Sequence, residues 1–186
     1  MSVDLEFDQF RVFLEKSCGI LLGNNKQYLV SSRLNKLMEQ HGLKSLGELV
    51  RQIQAQPHRG LREQVVDAMT TNETLFFRDN KPFEHLKEKV WPRMAATRGP
   101  SGTIRVWSAA CSTGQEAYSV AMSALDNAGA LGGCRVEIVG TDISRDVLKR
   151  AEQGRYSQFE VQRGLPIAML MRHFRKEGAD WQVKDP

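Results

Sequence analysis

Cysteine is scarce in this 186-residue chain, and what there is does not pair: Cys18, Cys111 and Cys134 are scattered and odd in number, with no C-x-x-C spacing. That excludes a disulfide framework or a zinc site as the organising device and leaves three small, reduced core residues. The four histidines, His41, His58, His85 and His173, are equally dispersed and show no ligand spacing, so no metal is expected. No apolar run approaches the roughly 20 residues of a membrane helix. The N-terminus, Met1-Ser2-Val3-Asp4-Leu5-Glu6, is acidic and lacks the basic and apolar regions of a signal peptide. A cytoplasmic protein without membrane insertion is the expectation. Basic residues interleaved with aromatics are missing too. The net charge of +4 is mild and both signs are mixed along the chain, so nucleic acid is not the expected partner. Hydrophobic content of 41% and charged content of 26% describe an ordinary globular chain, long enough for one medium domain or two small ones.

What is present divides in two. Up to about residue 90 the texture is helical. Phe7, Phe10, Val12, Phe13 and Leu14 mark a helix that stops near Cys18-Gly19, and Gly23-Asn24-Asn25 is a turn. Tyr28 to Gln40 carries Val30, Leu34, Leu37 and Met38 on one face and ends at Gly42. Ser45 suits the N-cap of a helix bearing Leu46, Leu49, Val50 and Ile53, and after a loop at Pro57–Gly60 a further helix runs from Leu61 to Met69. Arg98-Gly99-Pro100-Ser101-Gly102 is a short hinge. Beyond it the pattern becomes strand (104–109), helix (115–127), strand (135–141) and helix (146–152), the last capped by Ser144. The expected fold is α + α/β: a small all-helical N-terminal domain (1–80), a linker helix and hinge (81–102), and the first part of a Rossmann-like domain (103–186).

The densest chemical signal is the strand-turn-helix from Val106 to Ser119. Ile104, Val106 and Trp107 predict a strand buried on both faces. Ala109 to Gly114 has no bulky side chain, so the backbone there can approach a ligand closely. Such a turn opening a helix is how doubly wound folds build nucleotide and cofactor sites. Only Gly114 is present, however, and the G-x-G-x-x-G pattern of dinucleotide sites is absent. Glu116 in the first helical turn would repel a pyrophosphate but welcome a sulfonium or ammonium group. S-adenosylmethionine, which carries both, is the favoured ligand. Asp142, at the end of the second strand, suits either a helix N-cap or an acid that accepts hydrogen bonds from ribose hydroxyls. Its pairing with the first turn favours the ribose.

A second cluster, Thr70-Thr71-Asn72-Glu73-Thr74-Leu75-Phe76-Phe77-Arg78-Asp79, sets polar groups before two aromatics and an arginine. Alone it reads as a connector that buries Phe76 and Phe77 and leaves Arg78 solvated. In the N-terminal stretch Lys26, Arg33, Lys36, Lys44, Arg51, Arg59 and Arg62 outnumber the acids Glu39 and Glu48. That excess is either a solvated surface or a docking face for an acidic helical partner.

Taken in order, Thr71 to Asp79, Trp107 to Glu116, and Gly140-Thr141-Asp142-Ile143-Ser144 closely resemble the chemotaxis receptor glutamate methyltransferases of the CheR type, and Ala151-Glu152-Gln153-Gly154-Arg155-Tyr156 is similar to the family's A-x-x-G-x-Y segment. The resemblance covers essentially the whole chain. It implies transfer of a methyl group from S-adenosyl-L-methionine to glutamate side chains on the helical signalling region of chemoreceptors, leaving S-adenosyl-L-homocysteine. By position it implies Asn72, Thr74, Arg78, Gly114, Glu116 and Asp142 at the cofactor, with Arg78 also the catalytic residue that orients the incoming carboxylate. It implies Lys26, Arg33 and Lys36 at the receptor.

Two departures accompany it. Gln115 and Ala117 stand where the family more often has Glu and Pro. The family also continues past residue 186, through a small inserted β-subdomain and the rest of the sheet. The resemblance therefore makes this chain a truncated methyltransferase, expected to bind cofactor weakly and not to turn over alone. A different class, a non-catalytic module that senses S-adenosylhomocysteine or docks on receptors, fits the same truncation. A methyltransferase of nucleic acids or small molecules is disfavoured by the Thr70–Arg78 cluster.

Overall fold

The computed structural model describes residues 3–55 and 60–184. The loop expected at Pro57–Gly60 lies outside the described residues except for Gly60. The chain forms two compact units, Met1–Thr71 with Ile143–Arg145, and Asn72–Asp142 with Asp146–Pro186.

The first unit is helical: α1 (Val3–Cys18), α2 (Gln27–Gln40), α3 (Leu46–Ala55) and α4 (Leu61–Met69). Its boundaries follow from local chemistry. α1 stops at Gly19, whose φ of 75° only glycine adopts without strain. After α2, Leu43 N–H returns to the Met38 carbonyl at 2.8 Å while Gly42 takes φ 67°, the closing turn expected of a glycine just past a helix. Ser45 caps α3, accepting from Glu48 N–H at 3.3 Å, and the Glu48 carboxylate reaches back to Lys44 N–H at 2.7 Å. The core is formed by Phe7, Phe10, Leu14, Val30, Leu34, Leu49, Ile53 and Val65, all fully or almost fully buried. Each large apolar side chain so placed contributes roughly 1.5–3 kcal/mol.

The second unit begins with a continuous helical rod: α5 (Lys81–His85), a π-helical turn (Leu86–Val90) and α6 (Trp91–Arg98). Pro92 has no N–H to give to the preceding turn, which accounts for the widened register there. Strand β1 (Thr103–Ala109) leads into α7 (Gln115–Asp126), then β2 (Arg135–Thr141) and α8 (Arg145–Gln153). β1 and β2 pair in parallel, with Thr103 opposite Arg135 and Ala109 opposite Thr141. The expectation of a strand buried on both faces is corrected here. Ile104 and Ser108 are buried, whereas Trp107 on the other face is 72% exposed and its indole N–H donates to Thr141 Oγ1 at 2.9 Å.

Three further strands, absent from the sequence reading, form a small antiparallel sheet of order β3-β5-β4. They are β3 (Arg155–Ser157), β4 (Phe174–Glu177) and β5 (Asp180–Val183), with α9 (Gln158–Gln162) and α10 (Ile167–His173) between the first two. β4 and β5 close on a two-residue turn that opens with Gly178 at φ 61°. Ser157 and Glu160 form a reciprocal capping box at α9. A β-element that the sequence reading placed only beyond residue 186 thus has a counterpart inside the chain. Its core is aromatic: Phe76, Tyr156 and Phe174 meet edge to face, with centroids 5.0–6.2 Å apart.

Candidate cofactor site

The parallel register brings the chain out of β1 and β2 at the same end, so Ala110 and Asp142 leave adjacent strands side by side. Ligands of open α/β sheets bind at such carboxyl ends. The turn that follows β1 is tightly wound. Ala110, Ser112 and Gly114 take φ 59°, 51° and 95°, a left-handed conformation uncommon for alanine or serine. Hydrogen bonds hold it from three directions. Cys111 N–H donates to the Thr141 carbonyl at 2.9 Å, Ser112 N–H to Asp142 Oδ2 at 2.9 Å, and the Tyr156 hydroxyl to the Thr113 carbonyl at 2.7 Å.

Gly114 ends the turn and precedes α7. A Cβ there would lie 3.0 Å from the Tyr156 hydroxyl and from Ala151 Cβ, so close packing as well as φ requires glycine. Glu116 follows in the first turn of α7, exposed, with its Oε1 accepting from the Ser108 hydroxyl at 2.6 Å. Asn72 is half-buried, and its main-chain carbonyl accepts from Ser112 Oγ at 2.6 Å. Ser112 therefore touches both the segment from Asn72 and the acid at Asp142.

The Thr70–Arg78 cluster matches its connector reading at three positions. Phe76 and Phe77 are buried, Phe77 N–H donates to Ser119 Oγ at 2.9 Å, and Arg78 is exposed. Phe77, Asp79 and Asn80 are all left-handed, which folds the chain sharply around Arg78. Thr74 is half-buried. Glu73 pairs with Arg163 at 2.9 Å, and that hydrogen bond and charge, helped by Arg78, hold the Glu73 carboxyl below its usual range.

In the helical unit Lys36 is exposed and Lys26 half-exposed, its ammonium 5.7 Å from the Tyr28 ring centroid. Arg33 is otherwise engaged. Its guanidinium donates to the carbonyls of Met69 (2.6 Å) and Thr70 (3.1 Å) and to Thr71 Oγ1 (3.2 Å), satisfying the end of α4.

The electrostatics of the turn are negative. Burial, then the charges of Asp142 and Glu116, push the Cys111 thiol up. Such a field rejects a phosphate and suits a cation flanked by hydroxyls: Glu116 complements an ammonium, and Asp142 a ribose diol. The residues present thus fit S-adenosylmethionine. Ser108, Ser112, Tyr156 and Arg163 escaped the sequence reading as site residues. Only Ser108 left a signal there, a polar side chain at a position the strand period assigns to the core.

A parallel strand pair with these two acids at its carboxyl end defines a Rossmann-like cofactor-binding unit of the methyltransferase type. Residues 72–186 match the family model described as CheR methyltransferase, SAM binding domain, and residues 5–70 match that of the CheR methyltransferase all-alpha domain. The chain belongs to the CheR methyltransferase family, and its cofactor is S-adenosyl-L-methionine. Among its relatives are a chemotaxis protein methyltransferase of Pseudomonas putida, 58% identical over 97% of this chain and 67% of the relative, and one of Pseudomonas aeruginosa, 55% identical over 98% and 68%. Another from Escherichia coli is 32% identical over 93% of this chain and 57% of that protein. The chain spans about two thirds of the length of its closely similar relatives. No helix among the described residues is long and apolar enough to cross a membrane.

Proposed function

We propose that this chain carries the cofactor-binding and substrate-facing part of an enzyme that transfers a methyl group from S-adenosylmethionine to glutamate side chains of chemoreceptors in the cytoplasm. The observation that carries the proposal is the pair of oriented acids, Glu116 on the first turn of α7 held by Ser108 and Asp142 just past β2 held by Ser112, both at the carboxyl end of the parallel strand pair. Names of similar proteins supply the chemotaxis context.

When bound, the cofactor supplies an electrophilic methyl group on a sulfonium centre. The residues of the chain have modest but definite tasks. Glu116 would hold the α-amino end and Asp142 the ribose, with Gly114 keeping the turn between them compact. A substrate glutamate is already ionised near neutral pH, so no side chain need act as general base. Arg78, exposed on its sharp turn, orients the incoming carboxylate through charge-assisted hydrogen bonds, and Asn72 and Thr74 line its approach. The helical unit up to Thr71 is the receptor-docking part, on which Lys26 and Lys36 offer positive charge to acidic receptor helices. Arg33 contributes there mainly by closing α4. Residues 81–102 link it to the methyltransferase domain.

Calorimetry with S-adenosylhomocysteine, paired with a radiolabelled methyl-transfer assay on a receptor signalling domain, tests the reading. Glu116→Gln and Asp142→Ala each weaken binding by about tenfold or more. Arg78→Ala leaves binding within a few-fold and, introduced into a chain extended to the length of the similar proteins, abolishes transfer. Tight binding that survives loss of both acids would overturn the assignment. Weak binding without transfer is expected of the unmodified chain; a chain extended to the length of the similar proteins that still binds without transfer would instead leave a cofactor-sensing, receptor-docking module.

A further inference from the structure

Ser108 occupies a position where β1 should carry an apolar side chain. The strand alternates, with Ile104, Val106 and Ser108 on one face and Arg105, Trp107 and Ala109 on the other, and the first face is the covered one. Ser108 is 2% exposed, and its hydroxyl donates to Glu116 Oε1 at 2.6 Å, within the short range of O–H···O bonds to a carboxylate. A hydroxyl buried at the end of a strand is costly unless partnered, and Glu116 is the partner. Glu116 is itself exposed on the first turn of α7, where a glutamate side chain has three rotatable bonds, and the Ser108 hydroxyl restrains them. The β1 backbone is rigidly paired to β2 along its whole length, so the hydroxyl is a fixed post to which a mobile carboxylate is tied.

We infer that Ser108 is a positioning residue that selects for ligands bearing an α-amino group, by holding the Glu116 carboxylate toward the end of the sheet. The inference rests on the cofactor reading above and adds to it the residue that sets its selectivity. Asp142 is held separately, through Ser112 N–H, so the two halves of the ligand are read by two independent serine contacts.

Two probes separate these halves. S-adenosylhomocysteine has both the adenosine and the α-amino group, whereas 5′-methylthioadenosine keeps the adenosine and thioether and lacks the amino acid end. Titration calorimetry of the intact chain is expected to show Ser108→Ala weakening S-adenosylhomocysteine binding by about five- to tenfold while 5′-methylthioadenosine binding stays within about twofold. Ser108→Cys, which fills the site with a somewhat larger group that is a poor donor, gives the same selective loss and serves should the alanine variant fold badly. A loss shared equally by both ligands marks Ser108 as merely structural and overturns the inference, as does no loss for either. Glu116→Gln marks the dependence on the acid itself. If it weakens S-adenosylhomocysteine selectively and the Ser108 variants do not, the cofactor reading stands and only this inference falls. If the unmodified chain binds neither probe, both fall.

Discussion

Ser112 gives its main-chain N–H to Asp142 Oδ2 at 2.9 Å and its hydroxyl to the Asn72 carbonyl at 2.6 Å. One residue in a left-handed conformation thereby joins the end of β2 to the start of the Asn72–Arg78 segment. Because one contact uses the backbone and the other the side chain, they can be separated. Ser112→Ala removes only the link to Asn72. It is expected to destabilise the chain by ~1 kcal/mol in urea unfolding while 5′-methylthioadenosine affinity stays within about twofold. An equal loss of affinity to that of Asp142→Ala would show that the hydroxyl, and not the N–H, orients the acid.

The Tyr156 hydroxyl satisfies the Thr113 carbonyl inside the aromatic cluster. Tyr156→Phe leaves that carbonyl without its partner and is expected to cost ~1–2 kcal/mol. Burial, above all, lifts the phenol well above the ordinary tyrosine range. The folded state therefore binds this proton more tightly than the unfolded state does. Its contribution is complete below the unfolded value of roughly 10 and declines as the pH rises beyond it. Unfolding measured between pH 8 and pH 11 is expected to show a steeper alkaline loss for the unmodified chain than for Tyr156→Phe.

Gly140 has no unusual φ, yet a Cβ there would stand 2.9 Å from Cys111 Sγ and 3.3 Å from Cys111 Cβ. Gly140→Ala should cost ~1–3 kcal/mol through overpacking. Adding Cys111→Ala removes the nearer clash and recovers about half of the loss, because the contact to Cβ persists. A double variant no more stable than Gly140→Ala alone would place the strain elsewhere.

Asp126 Oδ1 accepts from Arg172 Nη1 at 2.6 Å and lies 2.9 Å from His173 Nε2, tying the end of α7 to the end of α10. Burial works against the carboxylate, but the hydrogen bonds and charges of Arg172 and His173 outweigh it and hold its pKa below the usual range. The resulting stability is fully present above the unfolded value near 3.8 and disappears as the pH falls through the lower, folded one. Asp126→Asn is expected to lower stability by ~1 kcal/mol at pH 7, a modest figure because Arg172 is largely solvated. The gap should narrow between pH 4 and pH 3. A gap that grows on acidification would reverse the assigned sign.

The four helices of the first unit and the β1-α7-β2-α8 run were legible because their cues are local: apolar residues at helical spacing, Ser45 as a cap, Gly19 and Gly42 as stops. The positions of Glu116 at the start of α7 and Asp142 just past β2 were legible because strand ends and helix starts are local signals. The antiparallel sheet was not. Strands of three and four residues such as Arg155–Ser157 and Phe174–Glu177 carry too few positions to show a period, and β3 pairs with β5 across more than twenty residues. Arg33 also misled, since a cation on an amphipathic helix gives no sign that the carbonyls of a distant helix end will claim it.

The sequence by itself determined the helical unit, the parallel strand pair and the identity of the two acids, because spacing and side-chain type act over a few residues. Only the tertiary structure decided how those acids are held. Ser108 reaches Glu116 across eight residues, Ser112 reaches Asp142 across thirty, and Tyr156 reaches Thr113 across forty-three. The strand-turn-helix names the cofactor, but the hydrogen bonds that orient its acids arise from strand pairing and packing, which no local pattern encodes.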